Sequence, residues 1–162
     1  FNTISEFIES GLSVEVIQRR INTYTKTHTT IISELLKNFD SNEDYNFSYL
    51  GEDFVNRLRN DPNFDEDIYK VAIRQFLDIY IRNLYPWEWG FVIMPDIRFK
   101  EGFYKGSFRA QANTYDTTVF AEFMGGGGHK EATGFNIKAN SISDAIEIVK
   151  KVIADNKQKA RI

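Results

Sequence analysis

The 162-residue chain has no cysteine and only two histidines, His28 and His129. That excludes disulfides, thiolate metal sites and cysteine nucleophiles, and it agrees with a reducing compartment. No apolar run approaches the roughly 18 residues needed to cross a bilayer, and no basic, apolar and small-residue order marks a secretory signal. The reading is a cytoplasmic protein with no membrane contact, and the Asn46-Phe47-Ser48 sequon is then incidental. A large charge of either sign is missing too. A net charge of -3 argues against a general polyanion binder. The total conceals an asymmetry: residues 1–85 hold 9 Lys/Arg against 14 Asp/Glu, and residues 86–162 hold 11 against 9. What the chain does have is a hydrophobic fraction of 42% and an aromatic fraction of 15%. That is enough to bury a core in one ordinary domain, with or without a helical appendage. The start at Phe1 rather than Met reads as part of something longer.

The first forty residues have helical patterning. Thr3-Ile4-Ser5-Glu6 matches a capping box, Gly11 can end that helix, and Ser13 can cap a second through Val14, Ile17 and Ile21. A third is expected near 29–39, with Ile31, Ile32, Leu35, Leu36 and Phe39 on one face. "DSNED" at 40–44 breaks the pattern and is taken as a domain boundary, giving a helical connector over 1–40 and a second unit over 41–162. In that unit the spacing predicts a strand over 45–50, a helix over 52–60 and a longer helix over 65–85, with Ile68, Val71, Ala72, Gln75, Phe76 and Ile79 at helical spacing. "WGFVIMPDI" and "GFYKGSFRAQ" read as strands joined by a turn at "RFKEG". "DTTVFAEFM" reads as a helix capped by Asp116 or Thr117, with Phe123 in the core. "TGFNIKA" is a strand, and 141–157 an amphipathic helix. The fold class is α/β, a small mixed sheet with flanking helices preceded by a helical connector.

"MGGGGHKEATGF" at 124–135 stands apart. Gly125 can end the preceding helix at positive φ, and one glycine suffices for that. Each further glycine costs roughly 0.5 to 1 kcal/mol against alanine, so a run of four argues that something approaches the main chain closely. A phosphate is the usual visitor, because successive N–H groups form an anion-binding concavity. Two familiar phosphate loops do not fit: no Gly-Lys-Ser/Thr follows the run, and Lys130 occupies the third glycine position of a dinucleotide fingerprint.

"GGGGHKEATGF" resembles the G-G-G-G-H-x-x-A-[AS]-G signature of the DHH-associated domain, subfamily 1, the C-terminal half of DHH-family phosphoesterases. "GSFRA" supplies the strand Ser-x-Arg of that family as Ser107 and Arg109. The nanoRNase (oligoribonuclease) and phosphoadenosine-phosphate phosphatase members look nearest, and exopolyphosphatase-related proteins share the module. The resemblance implies that this half binds a short oligonucleotide or other phosphorylated substrate. It assigns main-chain contacts to Gly125, Gly126, Gly127 and Gly128, a hydrogen bond or stacking contact to His129, and phosphate or base contacts to Ser107 and Arg109. Catalysis in the family belongs to a two-metal, usually manganese, site with an Asp-His-His motif in an N-terminal catalytic domain. Neither histidine here has a histidine neighbour, so this chain is expected to carry no catalytic residue and no metal ligand, and the missing N-terminal domain becomes its partner. Two positions depart from the pattern. Thr133 replaces a small alanine, tightening packing behind the loop, and Ala110 replaces a common serine, removing a polar substrate contact.

Other features have plainer explanations. Tyr85, Trp87, Trp89 and Phe91 alternate, which suits a core or interface better than a base-stacking face. Asp65, Glu66 and Asp67 suit a helix N-terminus better than a metal site. His28 reads as a linker residue, and Lys105 and Lys130 as peripheral cations. Two further functions stay open: a stand-alone nucleotide- or RNA-binding regulatory module, and a homodimerisation domain using the aromatic strand.

Overall fold

The computed structural model describes residues 14–99 and 101–162. Helix α1 spans Val14–Lys37 without a break. The two helices expected over this stretch are one, because the threonine-rich "TYTKTHTT" between them lowers helix propensity without containing glycine or proline. The helix expected over 3–11 lies outside the described residues. The last turns of α1 bury Ile31 and Leu35, four residues apart on one face.

"DSNED" forms the turn of a hairpin. Strand β1 (Asp40–Ser41) pairs antiparallel with β2 (Asn46–Tyr49), and the Asn42 Oδ1 accepts from the Asp44 and Tyr45 N–H groups at 2.8 and 2.9 Å. A short polar side chain that satisfies the backbone two and three residues on is what closes such a turn. Helix α2 (Glu52–Asn60) follows, then α3 (Glu66–Phe76). Asp65 caps α3 by accepting from Asp67 N and Ile68 N at 2.9 and 3.3 Å. Helix α3 continues into a π-helical turn over Leu77–Ile81. That turn advances the helix by an extra residue and shifts its phase. Tyr69, Ile73, Leu77 and Ile81, four residues apart, lie in the core, whereas Val71 and Gln75 on α3 and Ile79 in the π turn are exposed.

Strands β3 (Trp89–Pro95), β4 (Phe103–Ala110), β5 (Gly127–His129) and β6 (Ala132–Lys138) complete a six-stranded mixed sheet in the order β1-β2-β3-β4-β6-β5. Only β2 and β3 run parallel, and α2 and α3 make the crossover between them. Helices α4 (Thr118–Phe123) and α5 (Ile142–Ala160) cover one face and α1 to α3 the other. The α5 face holds the larger core, including Trp89, Phe91, Phe108, Phe120 and Phe135. Trp89 stacks on Tyr115 at 4.1 Å. The alternating aromatic strand is core, except that Tyr85 is exposed. Phe123, expected in the core, is 61% exposed; Phe120, Ala121 and Met124 fill that place, because a helix of six residues buries only one narrow stripe. Among the described residues no helix is long and apolar enough to cross a membrane.

Candidate phosphate-binding site

Three of the four loop glycines are required by the chain itself. Gly125 has φ +72° and ends α4: its N–H donates to the Glu122 carbonyl at 3.1 Å and the Gly126 N–H to that of Ala121 at 2.8 Å. Those two bonds are the Schellman pair that closes a helix C-terminus. Gly126 lies against β6, where an added Cβ would meet the Gly134 carbonyl oxygen at 2.0 Å. Gly128, at φ +145°, would place a Cβ 2.5 Å from the Ala132 oxygen. The run as a whole is therefore not evidence of a visitor, which corrects the inference from its length. Gly127 alone has open space around it and an ordinary φ. No need of the fold explains why it lacks a side chain.

The end of the run is strand rather than loop. Residues 127–129 form β5, paired antiparallel with β6. As the last strand of the sheet it offers unpaired backbone N–H groups along its outer edge. Sequence periodicity misses so short a strand because glycine carries no hydropathy signal.

Residues directly opposite on neighbouring strands point to the same face. The register puts Ser107, Gly134 and Gly127 in one cross-strand row and Arg109, Ala132 and His129 in the next. The serine and arginine are thus brought onto the same sheet face as Gly127 and His129, about 10 Å away across two strand spacings. The row between them is paved with residues no larger than serine. Gly127 and His129 are exposed, and Ser107, Arg109, Ala132 and Gly134 are half-buried. Gly125, Gly126 and Gly128 lie outside these two rows. Ala110 is fully buried on the other face, so a polar residue there would not reach this surface. Thr133 is also on the other face, its Oγ1 3.1 Å from the Thr117 Oγ1, which in turn donates to the Lys130 carbonyl at 2.8 Å. This pair ties the turn after β5 to the start of α4.

Beside the paved rows, α3 and β4 wall a cleft of about 260 Å³. It is lined by the cations Lys70, Arg74, Arg98, Lys105 and Arg109 and by only two carboxylates, Glu66 and Asp96. Lys70 pairs with Glu66 at 3.6 Å and Arg98 with Asp96 at 2.7 Å. Among the described residues Arg74 and Lys105 take part in no ion pair. Arg109 is held rather than neutralised. Its Nε donates to Asp78 Oδ1 at 3.2 Å and its Nη1 to the Phe108 carbonyl at 2.9 Å. Asp78 is shared with Arg82, also at 3.2 Å. Burial lowers the Arg109 pKa below its ordinary value; Asp78 opposes that shift and the Arg82 and Arg74 charges reinforce it. Loss of water around the guanidinium is the main cause and Asp78 offsets it only in part, so an anion entering the cleft is favoured there. The Nη2 of Arg109 makes no hydrogen bond among the described residues and is left to meet such an anion.

Arg109 is thus in an ion pair with Asp78 and stands on the same sheet face as Ser107. Lys105 lies in the cleft wall rather than at the periphery, because β4 alternates Lys105, Ser107 and Arg109 toward one side. Lys130 sits exposed in the turn after β5. His28 is inside helix α1, its Nε2 in contact with Gln75 Oε1, and is remote from the cleft lining. Sequence reasoning missed Lys70, Arg74 and Asp78. Their signal was the four-residue spacing Lys70, Arg74, Asp78, Arg82 along α3 and the π turn that continues it. Among the described residues no three His, Asp or Glu side chains gather as a metal site.

Neither the family models nor the curated proteins give a match to the sequence. Among solved structures the chain is similar to an exopolyphosphatase-related protein from Bacteroides fragilis, at 19% identity and a TM-score of 0.59, over 96% of this chain and 42% of that one. It is also similar to PggH, a pGpG-specific phosphodiesterase from Vibrio cholerae, at 14% identity and a TM-score of 0.51, over 86% of this chain and 43% of that one. At these identities the likeness is one of fold, and the chain spans less than half the length of either protein.

Proposed function

We propose that this chain is the substrate-binding half of a DHH-family phosphoesterase acting on short oligonucleotides or related nucleotides. Residues 1–40 then lead from a catalytic domain that holds the manganese pair, and residues 41–162 hold the substrate. The observation that carries this reading is the shared face of Ser107, Arg109, Gly127 and His129 beside a cleft with five cations and two carboxylates. A guanidinium with a free edge matches a phosphate, the edge N–H groups of β5 add neutral donors, and the missing side chain at Gly127 lets the ligand approach. The fold likeness to an exopolyphosphatase-related protein and a pGpG phosphodiesterase, of each of which the match spans less than half, is consistent with a second domain supplying the metals.

Thermal shift of the purified chain with short RNAs, adenosine bisphosphate, a cyclic dinucleotide and polyphosphate tests this. At least one ligand raises the Tm, with a Kd on the order of 10 μM to 1 mM, and binding weakens as salt rises. Arg109→Ala and His129→Ala each remove about 1 to 3 kcal/mol of that binding with little change in stability. Added manganese produces no release of phosphate or mononucleotide by the chain alone. The proposal fails if no phosphorylated ligand shifts the Tm, if both variants bind like the parent, or if the chain alone shows metal-dependent turnover.

A further inference from the structure

Beyond the phosphate-binding rows, the far end of the cleft carries an aromatic surface. The turn from β3 to β4 holds Phe99 and Phe103 side by side, ring centroids 4.6 Å apart, 43% and 37% exposed. Residues 96–99, on its first side, are held by side chains. Arg59 reaches over from α2, donating Nε to the Ile97 carbonyl at 3.2 Å and Nη2 to the Asp96 and Phe99 carbonyls at 3.0 and 2.6 Å. Asp96, 2% exposed, grips Arg98 with both carboxylate oxygens, at 3.0 and 2.7 Å. The gripped guanidinium lies 5.3 Å from the Phe99 ring centroid, and the Lys138 ammonium of β6 lies 5.6 Å from that of Phe103. The result is a fixed aromatic shelf with a cation on each ring. Aromatic faces set among cations are how proteins hold single-stranded nucleic acid, and a shelf already ordered loses less entropy on binding.

Its position relative to the cleft matters as much as its composition. Phe103, Lys105, Ser107 and Arg109 alternate along β4 and share a face. Arg98 and Lys105 line the cleft itself. From Phe103 to Arg109 the strand runs about 20 Å, more than one phosphate group spans and enough for a short single strand. A polyphosphate chain would leave the two rings unused.

We infer that Phe99 and Phe103 stack a nucleobase of a short single-stranded oligonucleotide whose phosphates run along the cleft toward Arg109. The inference rests on the phosphate-binding reading above and adds to it the place that holds a base, Phe99 and Phe103, which an inorganic phosphate chain would leave unused.

The test compares three probes on the parent, on Phe99→Ala/Phe103→Ala and on Arg109→Ala: a single-stranded oligoadenylate pentamer, the same pentamer with one abasic position moved along it, and a five-unit polyphosphate. Both rings are exposed, so the double variant stays folded, which circular dichroism checks. The double variant loses roughly 5-fold to 100-fold in affinity for oligoadenylate and nothing for polyphosphate. An abasic site at the stacked position costs the parent the same factor and costs the double variant nothing. Arg109→Ala weakens both probes. Equal oligoadenylate binding by parent and double variant overturns the shelf, as does equal loss for both probes or parental binding of polyphosphate alone. Unchanged oligoadenylate binding joined to lost self-association assigns the rings to a protein contact, and overturns it likewise. Unchanged binding of both probes by Arg109→Ala overturns the phosphate site instead.

Discussion

On one side of β4, Tyr104, Phe108 and Ala110 are at most 3% exposed and pack with Phe120, Phe135 and Val149 under α4 and α5. On the other side of the same strand, Lys105, Ser107 and Arg109 stay within reach of solvent, and their cross-strand neighbours are Asn136, Gly134 and Ala132. The backbone is shared and the register is shared; only the alternate side chains differ. The covered side is filled with aromatic rings because area removed from water stabilises it. The open side places cations and very small residues where a filled surface would exclude a ligand. Helix α3 covers β3 on that side and stops short of the outer strands, so its charged stripe walls the opening rather than closing it. Under the proposed function, stability and binding fall to opposite faces of three strands, and substitutions separate them.

The largest effect belongs to the covered face. Phe108→Ala leaves a cavity among Phe91, Phe120 and Phe135, all within 6 Å ring-centroid distance of Phe108, and costs about 3 to 5 kcal/mol in chemical or thermal unfolding. Where the variant is still folded, its affinity for phosphorylated ligands matches the parent's. A loss of affinity without loss of stability would break the separation of faces.

The glycine run sharpens the comparison at single-residue scale. Gly126→Ala drives a Cβ into the Gly134 carbonyl and costs about 1 to 3 kcal/mol of stability. Gly127→Ala changes stability by no more than about 0.5 kcal/mol, because nothing lies within 4 Å of the new atom. Gly127→Val likewise leaves the melting curve in place but eliminates ligand binding. Urea titrations and ligand titrations of the same three variants decide the matter; equal destabilisation at both positions contradicts it.

The smallest effect is gated by pH at the cleft's outer end. The hydrogen bonds from Arg98 hold the Asp96 carboxyl below the usual aspartate range against the opposing effect of burial. A carboxyl lowered in the folded state stabilises at pH values above its unfolded value, near 3.9, and that contribution disappears as pH falls through the folded value. The difference in unfolding free energy between parent and Asp96→Asn, about 1 kcal/mol because Arg98 faces water, is constant above about pH 5 and shrinks below about pH 4. A difference that grows on acidification would have the wrong sign.

Much of the covered face was legible in the sequence. The aromatic alternation through Trp89 and Phe91 and the 3.6-residue period of α5 are both hydropathy signals, and the strands and helices they predict lie within a few residues of those observed. The break at 40–44 and the helix start at the acidic cluster Asp65, Glu66 and Asp67 were legible because short polar side chains act locally. The open face was legible only as a motif. Nothing in the spacing says that Gly127 is the one unconstrained glycine, since that depends on how β5 lies against β6, a contact with the chain seven residues on. The cation stripe on α3 became part of the site only once α3 was laid beside β4, and the π turn that rotates its end, exposing Ile79, leaves no composition signal.

Amide chemical-shift mapping of the chain during titration with a short single-stranded RNA tests the open face most directly. The account predicts that the perturbed amides trace Lys105, Ser107 and Arg109 on β4, Gly127 and His129 on β5, and Lys70 and Arg74 on α3, with α5 silent. Saturable shifts centred on α5, or none on the β4–β6–β5 face at ligand concentrations that raise the Tm, would contradict it.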